Sequence, residues 1–279
     1  MRAAKPPAPK QSLAVNRVGP LSKRYSRVDL TVFSDEERRR LGVDDHADPG
    51  GDLGLAWELL YRLEPELYDR LVSAERLHPG ILQWLPTGVD HIVEVAAGTG
   101  RLTMDLLGRC QRLTAIEPAD PLRELLRQKI ERVLKQPRPF GAVTRVATPA
   151  IELISGFFDA LPVADRVADL VIACSALTPE PAHGGERGLA EMERVCARGG
   201  MVVIVWPNGL EWLARHGYRH VSFPGDMAME FASVDEAIAL TRIFYPQSVD
   251  DVDARGDRRV RYEVLGVNPP RDLAYKHIT

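Results

Sequence analysis

The chain has 279 residues, with 36 Lys and Arg against 39 Asp and Glu and a formal net charge of -3. That length allows a full hydrophobic core, and so small a charge gives no global bias toward nucleic acid or a membrane surface. No apolar run approaches the roughly 20 residues of a membrane-spanning helix, and the three cysteines, Cys110, Cys174 and Cys196, have neither the even count of a disulfide framework nor the CxxC spacing of a zinc site. An integral membrane protein is excluded on this reading, no metal is expected, and a reducing cytoplasm fits best.

From Arg2 to Arg27 stand seven basic residues and no acidic one, interleaved with Pro6, Pro7, Pro9 and Pro20. Basic residues interrupted by prolines neither pack nor form an amphipathic helix, so residues 1–50 are expected to form a flexible, solvated extension. The turn cluster Asp48-Pro49-Gly50-Gly51-Asp52 marks its end. Residues 51–89 follow as a helical lid segment: Leu55, Leu59 and Leu63 stand at helical spacing, and Pro65 divides the run into two short helices. Trp57, Tyr61 and Tyr68 lie on this segment.

From residue 90 onward strand-length apolar runs, at 92–96, 113–117, 151–155, 170–174 and 201–206, alternate with helical stretches. That alternation implies βαβ units and a parallel sheet with both faces covered. The clearest helix follows the second run. Asp120 and Pro121 suit its start, and Leu122, Leu125, Leu126, Ile130 and Val133 form one apolar face. In the tail Met227, Met229 and Phe231 alternate with polar residues, a helical stretch spans 234–244, and Val260, Tyr262 and Val264 alternate again. This pattern predicts an antiparallel pair at one sheet edge, with the last strand near 260–265.

The first strand runs into Glu94-Val95-Ala96-Ala97-Gly98-Thr99-Gly100-Arg101-Leu102-Thr103. A small-residue turn between strand and helix lets a ligand approach the backbone, and the helix N-terminus offers free amides. A dinucleotide fingerprint needs G-x-G-x-x-G, but the position of its third glycine holds Thr103. The segment resembles instead the first motif of the Rossmann-like S-adenosylmethionine-dependent methyltransferases, acidic-x-Gly-x-Gly-x-Gly, with Ala96 in place of the first glycine. Three further segments resemble that family: Glu117-Pro118 at the end of the second strand, Phe157-Phe158-Asp159-Ala160-Leu161-Pro162, and the run from Leu189 through Arg198-Gly199-Gly200 to Trp206.

The resemblance implies a doubly wound, seven-stranded, mostly parallel α/β sheet with an antiparallel last strand, an N-terminal helical lid (51–89) and a methyltransferase domain (90–279). It implies S-adenosylmethionine as cofactor, S-adenosylhomocysteine as product, and cofactor contacts from Tyr68, Glu94, Ala96, Gly98, Gly100, Glu117, Pro118, Phe158, Asp159 and Cys174. Glu117 stands where the family accepts hydrogen bonds from both ribose hydroxyls. At the mouth of the sheet it is expected to contribute little to the core. Phe158 or Asp159 would serve the adenine.

Methyl transfer is an in-line displacement from an already activated donor, so positioning dominates and no residue type is obligatory. Cys174-Ser175-Ala176-Leu177 lacks the Asn/Asp-Pro-Pro-aromatic signature of amino-methylating nucleic-acid enzymes, and Ala173-Cys174 is not the Pro-Cys of cytosine C5 enzymes. A small-molecule acceptor is therefore favoured over nucleic acid, and Cys174 reads as a strand-end thiol rather than a nucleophile. His183, in a Gly/Pro-rich loop, is the candidate base because an ordinary imidazole titrates near neutrality. Two other functions fit the same motifs: a non-catalytic S-adenosylmethionine-binding scaffold, and an RNA or protein methyltransferase recruited through the basic arm.

Overall fold

A computed structural model describes residues 19–44, 46–135 and 149–279. The chain divides into two compact units, residues 1–59 and 60–279. Most of the basic arm, residues 1–18, lies outside the described residues. Its remainder departs from the flexible extension expected: Pro20–Tyr25 is a helix (α1) and Asp35–Leu41 another (α2), with Leu21, Tyr25 and Phe33 buried. Helix α2 has a complete start signal, because Ser34 accepts from the Glu37 amide while the Glu37 carboxylate accepts from the Ser34 amide. Leu53–Leu63 (α3) follows, and Pro65 opens Pro65–Ala74 (α4) at the break the sequence indicates.

The second unit continues through α5 (Pro79–Trp84), β1 (Val89–Val95), α6 (Thr103–Leu106), β2 (Cys110–Ile116), α7 (Asp120–Lys135), β3 (Ala150–Ile154) and β4 (Ala168–Cys174). After these come α8 (Gly185–Val195), β5 (Cys196–Val205), α9 (Leu210–Arg215), β6 (Arg219–Ser222) and β7 (Ala228–Glu230). The chain ends with α10 (Val234–Phe244), α11 (Val249–Arg255), β8 (Arg259–Arg261), α12 (Tyr262–Leu265) and β9 (Asp272–His277). Seven strands form one sheet in the order β3-β2-β1-β4-β5-β9-β6. Strands β1 to β5 pair in parallel, and β9 runs antiparallel between β5 and β6.

The sheet is buried on both faces because its strands are apolar at consecutive positions. In β1, Ile92 packs with Ile81, Leu102 and Leu106 on one face, while Val93 and Val95 pack with Leu189, Met192 and Val195 of α8 on the other. Each fully buried Leu or Ile of this kind contributes about 1.5–3 kcal/mol.

The antiparallel last strand is confirmed but lies elsewhere than expected. It is β9, whereas residues 259–261 form β8, which pairs with β7 in a separate two-stranded sheet, and Tyr262–Leu265 is helical. The antiparallel pairing inferred from alternation is real; only its place in the main sheet is corrected. Both β7 and β8 belong to an insertion, residues 223–271, between β6 and β9.

Candidate active site

Parallel strands in register bring their C-terminal ends together. Val95 stands beside Ile116 on one side and Ala173 on the other, and Cys174 stands beside Val205. The loops that leave these ends therefore share one edge, where ligands of open α/β sheets bind. Three non-glycine residues there adopt left-handed backbone conformations: Ala96 (φ 55°) after β1, Ser175 (φ 54°) after β4 and Trp206 (φ 51°) after β5. Such strain, on the order of 1 kcal/mol or more for each residue, persists only where surrounding structure enforces it. It also explains why the resembling motif carries glycine at the Ala96 position.

The turn after β1 is bolted to β2. One Glu117 carboxylate oxygen accepts from the Gly98 amide at 2.9 Å and the other from the Ala119 amide at 2.9 Å, and the residue is only 6% exposed. Glu117 is thus a structural fastener as well as a candidate ribose ligand, which corrects the expectation that it matters little to the fold. A carboxylate has about four acceptor positions, so two amides are compatible with ribose hydroxyls. Pro118 follows, and Arg123 donates to the Glu117 carbonyl at 2.6 Å.

The two glycines of the turn do different things. A Cβ on Gly98 (φ 57°) would lie 3.6 Å from the Tyr68 hydroxyl, so the α4 tyrosine covers this glycine closely. A Cβ on Gly100 (φ 95°) would meet Leu126 of α7 at 2.6 Å. Gly100 therefore sits close against the α7 side chain, in a left-handed conformation that favours glycine.

Polar atoms around the turn are buried without hydrogen-bond partners, Glu94 Oε2, Thr99 Oγ1 and Arg101 Nε among them. Burial pushes the Glu94 acid up to about 8, with the Thr103 hydroxyl opposing and the Glu117 and Asp105 carboxylates adding to the shift. Burial likewise pushes the Cys174 thiol up to about 11, partly offset by Arg101, so at neutral pH it is a thiol and no nucleophile. Tyr68 is raised by burial, and it shares its surroundings with Arg101, Glu75, Glu117 and Cys174.

The structure thus gathers Tyr68, Glu94, Gly98, Glu117 and Cys174. Phe158 and Asp159 sit on the loop after β3. Phe158 packs beside Leu177, Gly184 and Gly188 and against the core, and the Asp159 carboxylate lies 4.0 Å from Arg187. His183 closes the short turn Pro181–His183 after β4; its backbone carbonyl accepts from the Thr178 amide at 3.1 Å, and its neighbour Gly184 abuts Phe158. Sequence reasoning missed Glu75, Arg101 and Trp206. Glu75 and Arg101 form a buried ion pair, and the Arg101 guanidinium lies 5.3 Å from the Trp206 ring centre. Arg101 directly follows Gly100, so its place at the site was available in the motif; Glu75 carried no signal.

A methyltransferase-domain family model matches residues 93–204. Among curated proteins, an uncharacterized methyltransferase of Mycobacterium bovis and two of Mycobacterium tuberculosis are each 28% identical over 130 residues, 46% of this chain and 44% of theirs. The chain spans less than half the length of these relatives. Among solved structures, the YcgJ protein of Bacillus subtilis is 10% identical with TM-score 0.43, covering 71% of this chain and 97% of that one. A SAM-dependent methyltransferase of Aquifex aeolicus is 13% identical with TM-score 0.38, covering 71% and 93%. Such distant likenesses add nothing to the strand order and the motif. Residues 93–204 thus match a methyltransferase domain, and they contain the turn after β1 and the parallel strand β4 beside it.

Proposed function

We propose that this chain transfers a methyl group from S-adenosylmethionine to a small-molecule acceptor. The observation that carries the reading is the turn after β1: backbone held by the Glu117 carboxylate, with Glu94 Oε2 and Thr99 Oγ1 buried beside it without partners. An unmet buried polar group costs about 1–3 kcal/mol, so such a cluster on one turn suits a polar ligand that completes it. The cofactor's amino-acid tail brings donors and acceptors of that kind. Its adenosine brings a ribose for Glu117 and a purine for the loop bearing Phe158 and Asp159.

In this reading Glu117 orients the ribose, Glu94 and Thr99 hold the amino-acid tail, and Tyr68 excludes water above Gly98. When bound, the cofactor supplies a sulfonium-activated methyl group. The protein's part is alignment of the acceptor, with His183 as the proposed proton acceptor on the loop after β4. A small acceptor is favoured because residues 223–271 pack over the sheet edge. Glu236 of α10 pairs with Arg70 of α4 at 2.7 Å, and the Tyr262 ring lies 6.2 Å from the Trp206 ring.

Titration calorimetry with S-adenosylhomocysteine tests this. Glu117→Ala should weaken binding at least tenfold, since losing even one charge-assisted bond costs about 1.5–3 kcal/mol. The same variant strands the Gly98 and Ala119 amides, so its melting temperature falls too, while Glu117→Gln keeps an acceptor and loses less of both. Wild-type affinity in folded Glu117→Ala protein overturns the ribose assignment. No binding by the wild-type chain overturns the function.

A further inference from the structure

Beside the turn, beyond the ends of β4 and β5, three aromatic residues meet two hydrogen-bond donors, Arg101 Nε and the Tyr262 hydroxyl, whose protons find no acceptor in the fold. Tyr262 is fully buried on α12, and its hydroxyl proton finds no acceptor. The backbone amide of Arg76 bears on its oxygen, which leaves the hydroxyl proton to be given elsewhere. Arg101 Nε is the second such donor, shielded from water and without an acceptor. Trp206 joins the two, since its ring lies 5.3 Å from the Arg101 guanidinium and 6.2 Å from the Tyr262 ring. Tyr245, after α10, feels the charges of Glu75 and Arg101 and stands beside Tyr262.

We propose that this cluster is the acceptor subsite and that it selects an uncharged planar aromatic molecule through one oxygen substituent, held by Arg101 Nε and the Tyr262 hydroxyl. The inference rests on the methyltransferase reading above and deepens it by naming the acceptor class.

Charge balance decides against a charged acceptor. Arg101 is already neutralised by Glu75, whose side chain is 6% exposed. Cys174 and the tyrosines carry no charge at neutral pH. A carboxylate or ammonium entering here would lose its hydration and find no counter-charge. A phenolic or carbonyl oxygen, in contrast, has two lone pairs for two donors. Its ring finds the faces and edges of Trp206, Tyr245 and Tyr262, which pack planar partners in offset or edge-on geometry. Arg101 also links this subsite to the glycine turn by immediate sequence, so an acceptor held by its Nε lies next to the cofactor's place.

The test uses the full chain saturated with S-adenosylhomocysteine and two matched probes, 2-naphthol and naphthalene, titrated by their fluorescence at micromolar concentration. A site built to donate hydrogen bonds rejects the analogue without the oxygen. Wild-type protein is expected to bind 2-naphthol at least tenfold tighter than naphthalene, and Tyr262→Phe to reduce that preference below threefold with unchanged affinity for S-adenosylhomocysteine. The melting temperature of Tyr262→Phe should change little, because the ring stays and the bond from the Arg76 amide is lost together with an unmet buried donor. Equal binding of the probes, binding of neither, or a preference that survives Tyr262→Phe overturns the inference. Failure to bind S-adenosylhomocysteine overturns the reading beneath it, and the two results are read from separate titrations.

Discussion

Replacing Glu94 by glutamine removes an acid that is only 2% exposed, whose proton the fold retains up to about pH 8. An unfolded chain releases that proton near pH 4.5, the ordinary value for this acid. Between these two points the folded state binds more protons than the unfolded state, so stability falls as pH rises. At about 1.4 kcal/mol for each unit of separation, the loss is on the order of 3–5 kcal/mol, complete by about pH 8 and absent below about pH 4.5. Glutamine fills the same space without a proton to lose. The difference in unfolding free energy between wild type and Glu94→Gln should therefore grow steadily against the wild type from pH 5 to pH 8 and level off above. Urea unfolding at unit steps of pH measures it, and taking the difference removes groups common to both proteins, His91 and Glu75 among them. Parallel curves from pH 5 to 8 would refute the argument by showing that Glu94 is ionised, and solvated or paired, in the fold. A linked result follows for the cofactor. If Glu94 accepts from the ligand's ammonium, binding at pH 7 releases up to about one proton, seen as a buffer-dependent heat in phosphate against Tris.

Ala96→Gly relieves a left-handed φ of 55° and should raise stability by about 0.5–1 kcal/mol, less than the full steric penalty because glycine also frees the unfolded chain; thermal melts check it, and a lowered melting temperature counts against strain at this turn. Gly100→Ala drives a Cβ to 2.6 Å from Leu126 and should cost about 2–4 kcal/mol through overpacking and backbone strain. Its affinity for S-adenosylhomocysteine should change less than threefold, whereas Gly98→Val, facing Tyr68, should lose tenfold or more; calorimetry on both variants separates the packing glycine from the site glycine.

The sheet was legible because parallel strands buried on both faces read as short apolar runs: β4 contains the run expected of it, and β1, β2 and β5 contain all but the last residue of theirs. Strand β9 was not, for a physical reason: Asp272, Lys276 and His277 in Asp272–His277 dilute its apolar signal. Residues 259–265 alternate more clearly, but alternation reports one buried face without saying which sheet supplies it. The site divides the same way. Glu94, Gly98 and Glu117 occupy fixed offsets from strand ends and could be placed in advance. The Glu75–Arg101 pair spans 26 residues between a helix end and a turn, and Tyr262 reaches the edge only because the insertion folds back over it. Contacts set by tertiary folding leave no periodic trace. Gly100 lies between the two cases: its place in the turn was legible, whereas its contact with Leu126 of α7 was not.

The insertion leaves the sheet after Ser222 and returns at Asp272, and these two residues face each other in one rung of the β6–β9 ladder. Residues 223–271 are thus a cassette with adjacent ends, whose points of departure and return are fixed by the β6–β9 ladder. Their sequence and length are free to change without disturbing the order or register of the strands that carry the glycine turn. Two proteins with this fold can therefore trade such stretches at the Ser222 and Asp272 junctions with the strand ladder left intact.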